Sequence, residues 1–149
     1  MKFFSRSLAI VPSILAAFSV ASFAYAGPVE DRQEKMKAVG KNMGIVGKMA
    51  KGEADFDSAA ALAAFVAMKD ASQGFETLFP DGSNEGKTEA APAIFTDRTG
   101  FEAKFTDFTA ALDKVTAAAP ADLAALQGSL GELGQTCGGC HKAYRIKKK

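Results

Sequence analysis

Apolar side chains recur at alternating steps of three and four in four separate segments of this 149-residue chain. Met36, Val39, Met43, Val46 and Ala50 form the first stripe, and Leu62, Phe65, Met68, Ser72, Phe75 and Phe79 the second. Phe101, Phe105, Phe108, Leu112 and Val115 make the third, and Leu126, Leu130, Leu133, Cys137, Cys140 and Tyr144 the fourth. Such a period places each set on one face of an α-helix, and a helix with one apolar face must bury it against others. The alphabet agrees, being rich in Ala, Lys and Glu and poor in β-branched residues.

Local signals set the boundaries. Gly52 can end the first helix, and Asp55 or Asp57 can cap the second. Thr99 and Glu102 have capping-box spacing, while Thr96 or Asp97 would start the third helix slightly earlier. Pro120 suits the first turn of the fourth. The spacing predicts helices over 29–50, 57–79, 97–118 and 121–146. The short links between the first and second and between the third and fourth predict an all-α antiparallel four-helix bundle. The middle connection is longer. It is polar and turn-rich from Pro80 to Glu89, then apolar through Ile94 and Phe95, which are expected to tuck against the end of the bundle.

The first residues read as a signal for export. A short basic start (Lys2, Arg6) precedes an apolar run broken by Pro12, and Ala24-Tyr25-Ala26 is a small-x-small cleavage pattern. Residues 1–26 are therefore expected to be a cleaved signal peptide and 27–149 a single domain. The expected location is the periplasm, with no membrane span once the signal is removed. Removing Lys2 and Arg6 leaves 16 basic against 17 acidic residues. With no basic-aromatic patch either, nucleic acid is not an expected partner.

Chemistry concentrates at one place. The only two cysteines and the single histidine, Cys137, Cys140 and His141, fall within five consecutive positions of the fourth stripe. Four readings compete. A disulfide suits an oxidising compartment but would close too small a loop to stabilise much. A thioredoxin-like site needs a βαβ setting, and no strand pattern is visible. Structural zinc needs four ligands, and Cys140 and His141 are too close in sequence to share a tetrahedron easily. Covalent haem needs two thiols one helical turn apart, each forming a thioether to a porphyrin vinyl group, with a histidine directly after the second to reach the iron. This last reading accounts for all three residues and predicts one haem c per chain.

His141 would serve one face of the iron. A second protein ligand must come from upstream, from Met36, Met43, Met49 or Met68, although a methionine on an apolar stripe is ordinarily core filler. Gly138 and Gly139 would let a flat macrocycle lie against the backbone, whereas Gly128 and Gly131 read better as close helix–helix contacts. Gly40, Gly44 and Gly47 leave room for a close neighbour, either the second helix or another subunit. Phe75, Phe79, Phe95 and Leu133 are candidates to keep water from the ring. Arg145, one turn past His141, could face a propionate. A peroxidase would want a distal histidine, and the one histidine is already used, so the chain is not expected to be an enzyme.

With C-x-x-C-H inside the last helix, followed by Lys142-Ala143-Tyr144-Arg145, the chain resembles the class II c-type cytochromes, the cytochrome c prime family. Arg32-Gln33-Glu34-Lys35-Met36 resembles the first-helix motif of that family, and Lys51-Gly52-Glu53, Leu78-Phe79-Pro80 and Ala91-Pro92-Ala93-Ile94-Phe95 are also similar. Phe95 departs from the pattern, since many members carry tryptophan there. The resemblance implies that residue 36 lies on the distal side of the haem and that Arg32 lies near the propionates. It also implies two alternative functions. Met36 either ligates the iron in a low-spin one-electron carrier serving redox partner proteins, or crowds an empty distal site where nitric oxide or another small gas binds. The segment from Met36 to Gly44 resembles the low-spin branch more closely. Many relatives are homodimers.

Overall fold

The computed structural model describes residues 27–146, so the expected signal peptide and the last three lysines lie outside the described residues. Four long helices carry the structure: α1 (Pro28–Ala50), α2 (Ser58–Ser72), α4 (Arg98–Ala118) and α5 (Leu123–Tyr144). Between α2 and α4 lie a short 3₁₀ turn (Phe75–Leu78) and a single-turn helix α3 (Ala93–Thr96). Contacts at the ends of the helices show that each packs antiparallel to its neighbours. Lys35 near the start of α1 reaches the carbonyl of Gln73 beyond the end of α2, and Ser58 at the start of α2 donates to the carbonyl of Pro120 just past the end of α4 (2.7 Å). Tyr144 at the end of α5 donates to Asp97 at the start of α4. Gln127, early in α5, donates to the carbonyl of Ala50 at the end of α1 (2.8 Å).

The third stripe is buried at all five positions, Phe101 to Val115. The other faces join it with Val39, Val46 and Met49 from α1, Ala61, Ala64, Phe65 and Met68 from α2, and Leu126, Leu133 and Tyr144 from α5. Fully burying each of the larger side chains contributes about 1.5–3 kcal/mol, the bulk of the driving force for assembly. Met36, Met43, Leu130, Cys137 and Cys140 pack half-buried against this core.

Capping chemistry explains the observed ends. Asp57 accepts the Ala60 amide (2.9 Å) and Asp97 the Gly100 amide (3.2 Å), so Asp97 and not Thr99 starts the third long helix. Asp122 accepts from Ala125 (2.8 Å), which moves the start of α5 to Leu123 and leaves Pro120 outside the helix, buried in the preceding link. The second helix is shorter than its period suggests. It ends at Ser72, because Gly74 takes a left-handed conformation (φ 67°) that terminates the α-turns, and the 3₁₀ turn then carries Phe75 and Phe79 back onto the core. Ile94 is buried and Phe95 half-buried, as expected for a connection that folds over the end of the bundle. Gly128 and Gly131 are a correction. Both are exposed, and an added Cβ would meet nothing within 4 Å, so they serve no close helix contact. The same open space surrounds Gly40, Gly44 and Gly47, so α2 is not their close neighbour.

Candidate functional site

The two cysteines lie one turn apart on the inner side of α5, half-buried against the core, both as free thiols. Burial pushes both thiols up from their ordinary value. Among the described residues no group of three or more His, Cys, Asp and Glu side chains is placed to hold a metal ion. His141 follows at the edge of the same face and is exposed. Partial desolvation and then Arg145 push its imidazole down, while Glu89 pulls it up. A neutral imidazole is the form that can bind iron.

Helix register decides which upstream residue stands opposite. Ala50 and Gln127 meet at one end of the α1–α5 pair. Met36 is fourteen residues back from Ala50, and His141 fourteen residues on from Gln127. Each step covers about 21 Å in the same direction at 1.5 Å per residue. Met36 and His141 therefore stand level across the pair. The next turn repeats the correspondence. Arg32 lies four residues before Met36 and Arg145 four after His141, and they hold the adjacent loop residues Thr88 and Glu89. Among the other methionines, Met68 is fully buried on α2 and Met49 is buried at the far end of α1, while Met43 lies about 10 Å along the axis from Met36.

Arg32 is only 4% exposed, and four contacts take up its two terminal nitrogens. Nη1 donates to the Leu78 carbonyl and Ser83 Oγ (both 3.1 Å), and Nη2 to the Ser83 carbonyl and Thr88 Oγ1 (both 2.6 Å). The guanidinium also sits 4.7 Å from the centre of the Phe79 ring. Phe79 in turn packs edge-on against Phe75 and Phe101. Arg32 thus fastens the loop after the 3₁₀ turn onto α1, a role no local sequence signal announces.

The far end of that loop is fastened to α5. Ala91 donates to the Tyr144 carbonyl (3.0 Å), Ile146 donates to the Glu89 carbonyl (2.8 Å), and Arg145 Nε donates to Glu89 Oε2 (2.7 Å). Residues 78–91 therefore form a strap from α1 to the end of α5, one turn beyond the level where Met36 and His141 stand. Tyr144 adds a further tie through its hydroxyl to Asp97 Oδ2 (2.7 Å). Position just before a predicted helix was the one available signal for Asp97. Glu89 had none. A separate cleft of about 460 Å³ opens between α2 and α4, lined by Ser72, Glu76, Phe105 and Thr109, and contains none of the candidate haem-binding residues.

The donor set fits a haem c attached to α5. Two half-buried thiols one turn apart, a neutral imidazole beside them and a half-buried thioether level with it on α1 are what such a group requires. Open space at Gly134, Gly138 and Gly139 leaves that stretch of α5 unobstructed.

Comparison with known proteins agrees. The family model described as Cytochrome C′ matches residues 27–145. Cytochrome c-556 from Agrobacterium tumefaciens (strain II Chrys) is 39% identical over 123 residues, covering 83% of this chain and all of the relative. The crystal structure of cytochrome c′ from Rubrivivax gelatinosus superposes with a TM-score of 0.73 at 33% identity, covering 81% of this chain and 98% of the other. A nitric oxide complex of a variant of cytochrome c prime from Alcaligenes xylosoxidans gives 0.74 at 33% identity, covering 83% and 99%. The chain belongs to the cytochrome c′ family of class II c-type cytochromes, four-helix bundles that carry one covalently bound haem c and serve electron transfer or gas binding.

Proposed function

We propose that this protein is a periplasmic one-electron carrier with low-spin iron ligated by His141 and Met36. Haem c supplies a one-electron iron couple when bound. Cys137 and Cys140 would hold it by two thioethers on α5. His141 would hold the iron through an imidazole nitrogen and Met36 through its sulfur. Two fixed protein ligands keep the coordination the same in both oxidation states, and a thioether favours the reduced one. Phe79, wedged between Phe75 and Phe101 beneath Arg32, keeps water out at the strap end. Arg145, half-exposed beyond its pair with Glu89, faces a propionate, while Arg32 lies near the propionates and acts there through the strap that takes up its terminal nitrogens.

The observation that carries this reading is the common level of Met36 and His141, with Met36 half-buried on the same core as both cysteines. Export follows from the small-x-small pattern ending at Ala26, and the family match beginning at residue 27 supports a mature chain starting there. Among the described residues no helix is long and apolar enough to cross a membrane. Its partners are redox proteins, steered in part by Lys142 at the end of α5. The open face at Gly40, Gly44 and Gly47 leaves room for a homodimer.

The visible spectrum of the oxidised protein tests the ligand assignment. A sulfur-to-iron charge-transfer band is expected, and Met36→Ala removes it. A spectrum indifferent to that substitution would sink the assignment.

A second reading has its own support, since a cytochrome c prime of the same fold has been solved as a nitric oxide complex. In that case Met36 is a steric gate and the iron is five-coordinate and high-spin. A broad high-spin spectrum with ready nitric oxide binding by the unaltered protein would select it.

A further inference from the structure

The end of α5 carries two opposite charges whose placement the axial ligands do not explain. Arg145 is the C-cap of α5, and its amide donates to the His141 carbonyl (3.2 Å). Its side chain turns onto Glu89, which arrives from the strap and is held in register by the antiparallel bridge between Ala90 and Arg145. Flanking backbone bonds, from Ala91 to the Tyr144 carbonyl and from Ile146 to the Glu89 carbonyl, fix both residues on either side of the pair. A side chain on a free loop end would average its position. This one is pinned by backbone on both strands.

We infer that Glu89 and Arg145 are an opposed pair of positioning charges that set the reduction potential of the iron held at His141. The proposal rests on His141 being an axial ligand, and it holds whether or not Met36 is the other. The physical basis is Coulombic. The oxidised centre carries one more positive charge than the reduced centre, so a nearby carboxylate favours oxidation and a nearby guanidinium favours reduction. Arg145 stands one turn past His141 with its amide on the His141 carbonyl, and Glu89 is held against its side chain, so both charges lie beside the histidine. The pair is half-exposed, at 52% for the Arg145 side chain and 29% for that of Glu89, so it adds little to stability. Its geometry is nonetheless elaborate, with the strap's only strand-like contact among the described residues spent on holding it.

The test is a redox titration of the holoprotein at low ionic strength, with four variants. Glu89→Gln should raise the midpoint potential and Arg145→Gln should lower it. Each shift should be at least roughly threefold in the reduction equilibrium, about 28 mV at 59 mV per decade. The double variant should return toward the starting value, and Glu89→Asp should stay closer to it than Glu89→Gln. A merely structural role predicts something different, because loosening the strap admits water in both single variants and moves both potentials the same way. Shifts of the same sign, or no shift with an unaltered visible spectrum, would overturn the proposal. Circular dichroism melts confirm that each variant remains folded. The visible spectrum of His141→Ala separates the two levels of the argument. If it matched the unaltered protein, the ligand assignment would fail and this proposal with it.

Discussion

The Tyr144 hydroxyl donates to one carboxylate oxygen of Asp97 while the other oxygen of Asp97 caps α4. One carboxylate therefore closes the start of α4 and anchors the last turn of α5, three residues past the histidine. Phe101 packs edge-on against the Tyr144 ring (5.5 Å), so the phenol is fixed by its face as well as its hydroxyl. The bundle end that carries the haem motif is thus tied down by a side chain of the motif's own helix.

A first prediction concerns alkaline pH. Donation to Asp97 is the main reason the Tyr144 phenol is pushed up to about 12, with burial second. An unfolded tyrosine titrates near 10. The folded state holds the proton more tightly, so the stabilisation is complete below pH 10 and is lost as pH rises towards about 12. Denaturant midpoints should fall across that window, and Tyr144→Phe should flatten the fall while lowering the midpoint at neutral pH. An unchanged alkaline slope in the variant would show that the bond does not persist in solution.

Gly100 guards the same bond. A Cβ there would lie 2.5 Å from the Tyr144 hydroxyl and closer still to the Asp97 carboxylate, an approach real side chains do not make. Neither neighbour can withdraw without giving up its hydrogen bond. Gly100→Ala is therefore expected to destabilise by about 1–3 kcal/mol, despite alanine's better helix propensity. Thermal melting in parallel with Tyr144→Phe checks it. The double variant should lose much less than the two single losses added, since both act on one bond.

How far the sequence led depends on the range of each interaction. The third stripe was legible at every position, because a helix buried along one face repeats its pattern within a few residues. Asp57 was legible as a cap for the same local reason. The break at Gly74 was harder, because Phe75 and Phe79 continue the three-four step and the 3₁₀ turn returns them to the same core. Arg32 reading Ser83, fifty-one residues away, has no local signature at all. Nor do Glu89 and Arg145, which meet only because α5 and the strap end together. The cysteines and the histidine were plain because the attachment chemistry is written within one helical turn.

Arg32 should behave as a structural keystone of the strap. Its four donor contacts satisfy two carbonyls and two hydroxyls around a guanidinium that is almost wholly buried. Arg32→Ala removes them together and leaves buried acceptors without partners, at an expected cost of about 2–4 kcal/mol. Arg32→Lys keeps the charge but cannot span the fork, and should recover less than half. Urea titrations measure the loss. Hydrogen exchange should locate it, with the amide of Ser83, which now donates to the Pro80 carbonyl, exchanging faster in both variants.

The exposed glycines of α5 offer the opposite sign. Gly128 and Gly131 lie mid-helix with nothing within 4 Å of an added Cβ, and neither has a positive φ. Each forfeits about 1 kcal/mol relative to alanine without a packing gain in return. Gly128→Ala and Gly131→Ala should each raise the unfolding free energy by about 0.5–1 kcal/mol and add nearly independently. Haem content and visible spectrum should stay as they are. If either substitution destabilised the protein instead, the open face would be covered in solution. The same variants run at several protein concentrations would then reveal a second subunit, because only an intersubunit contact makes the midpoint depend on concentration.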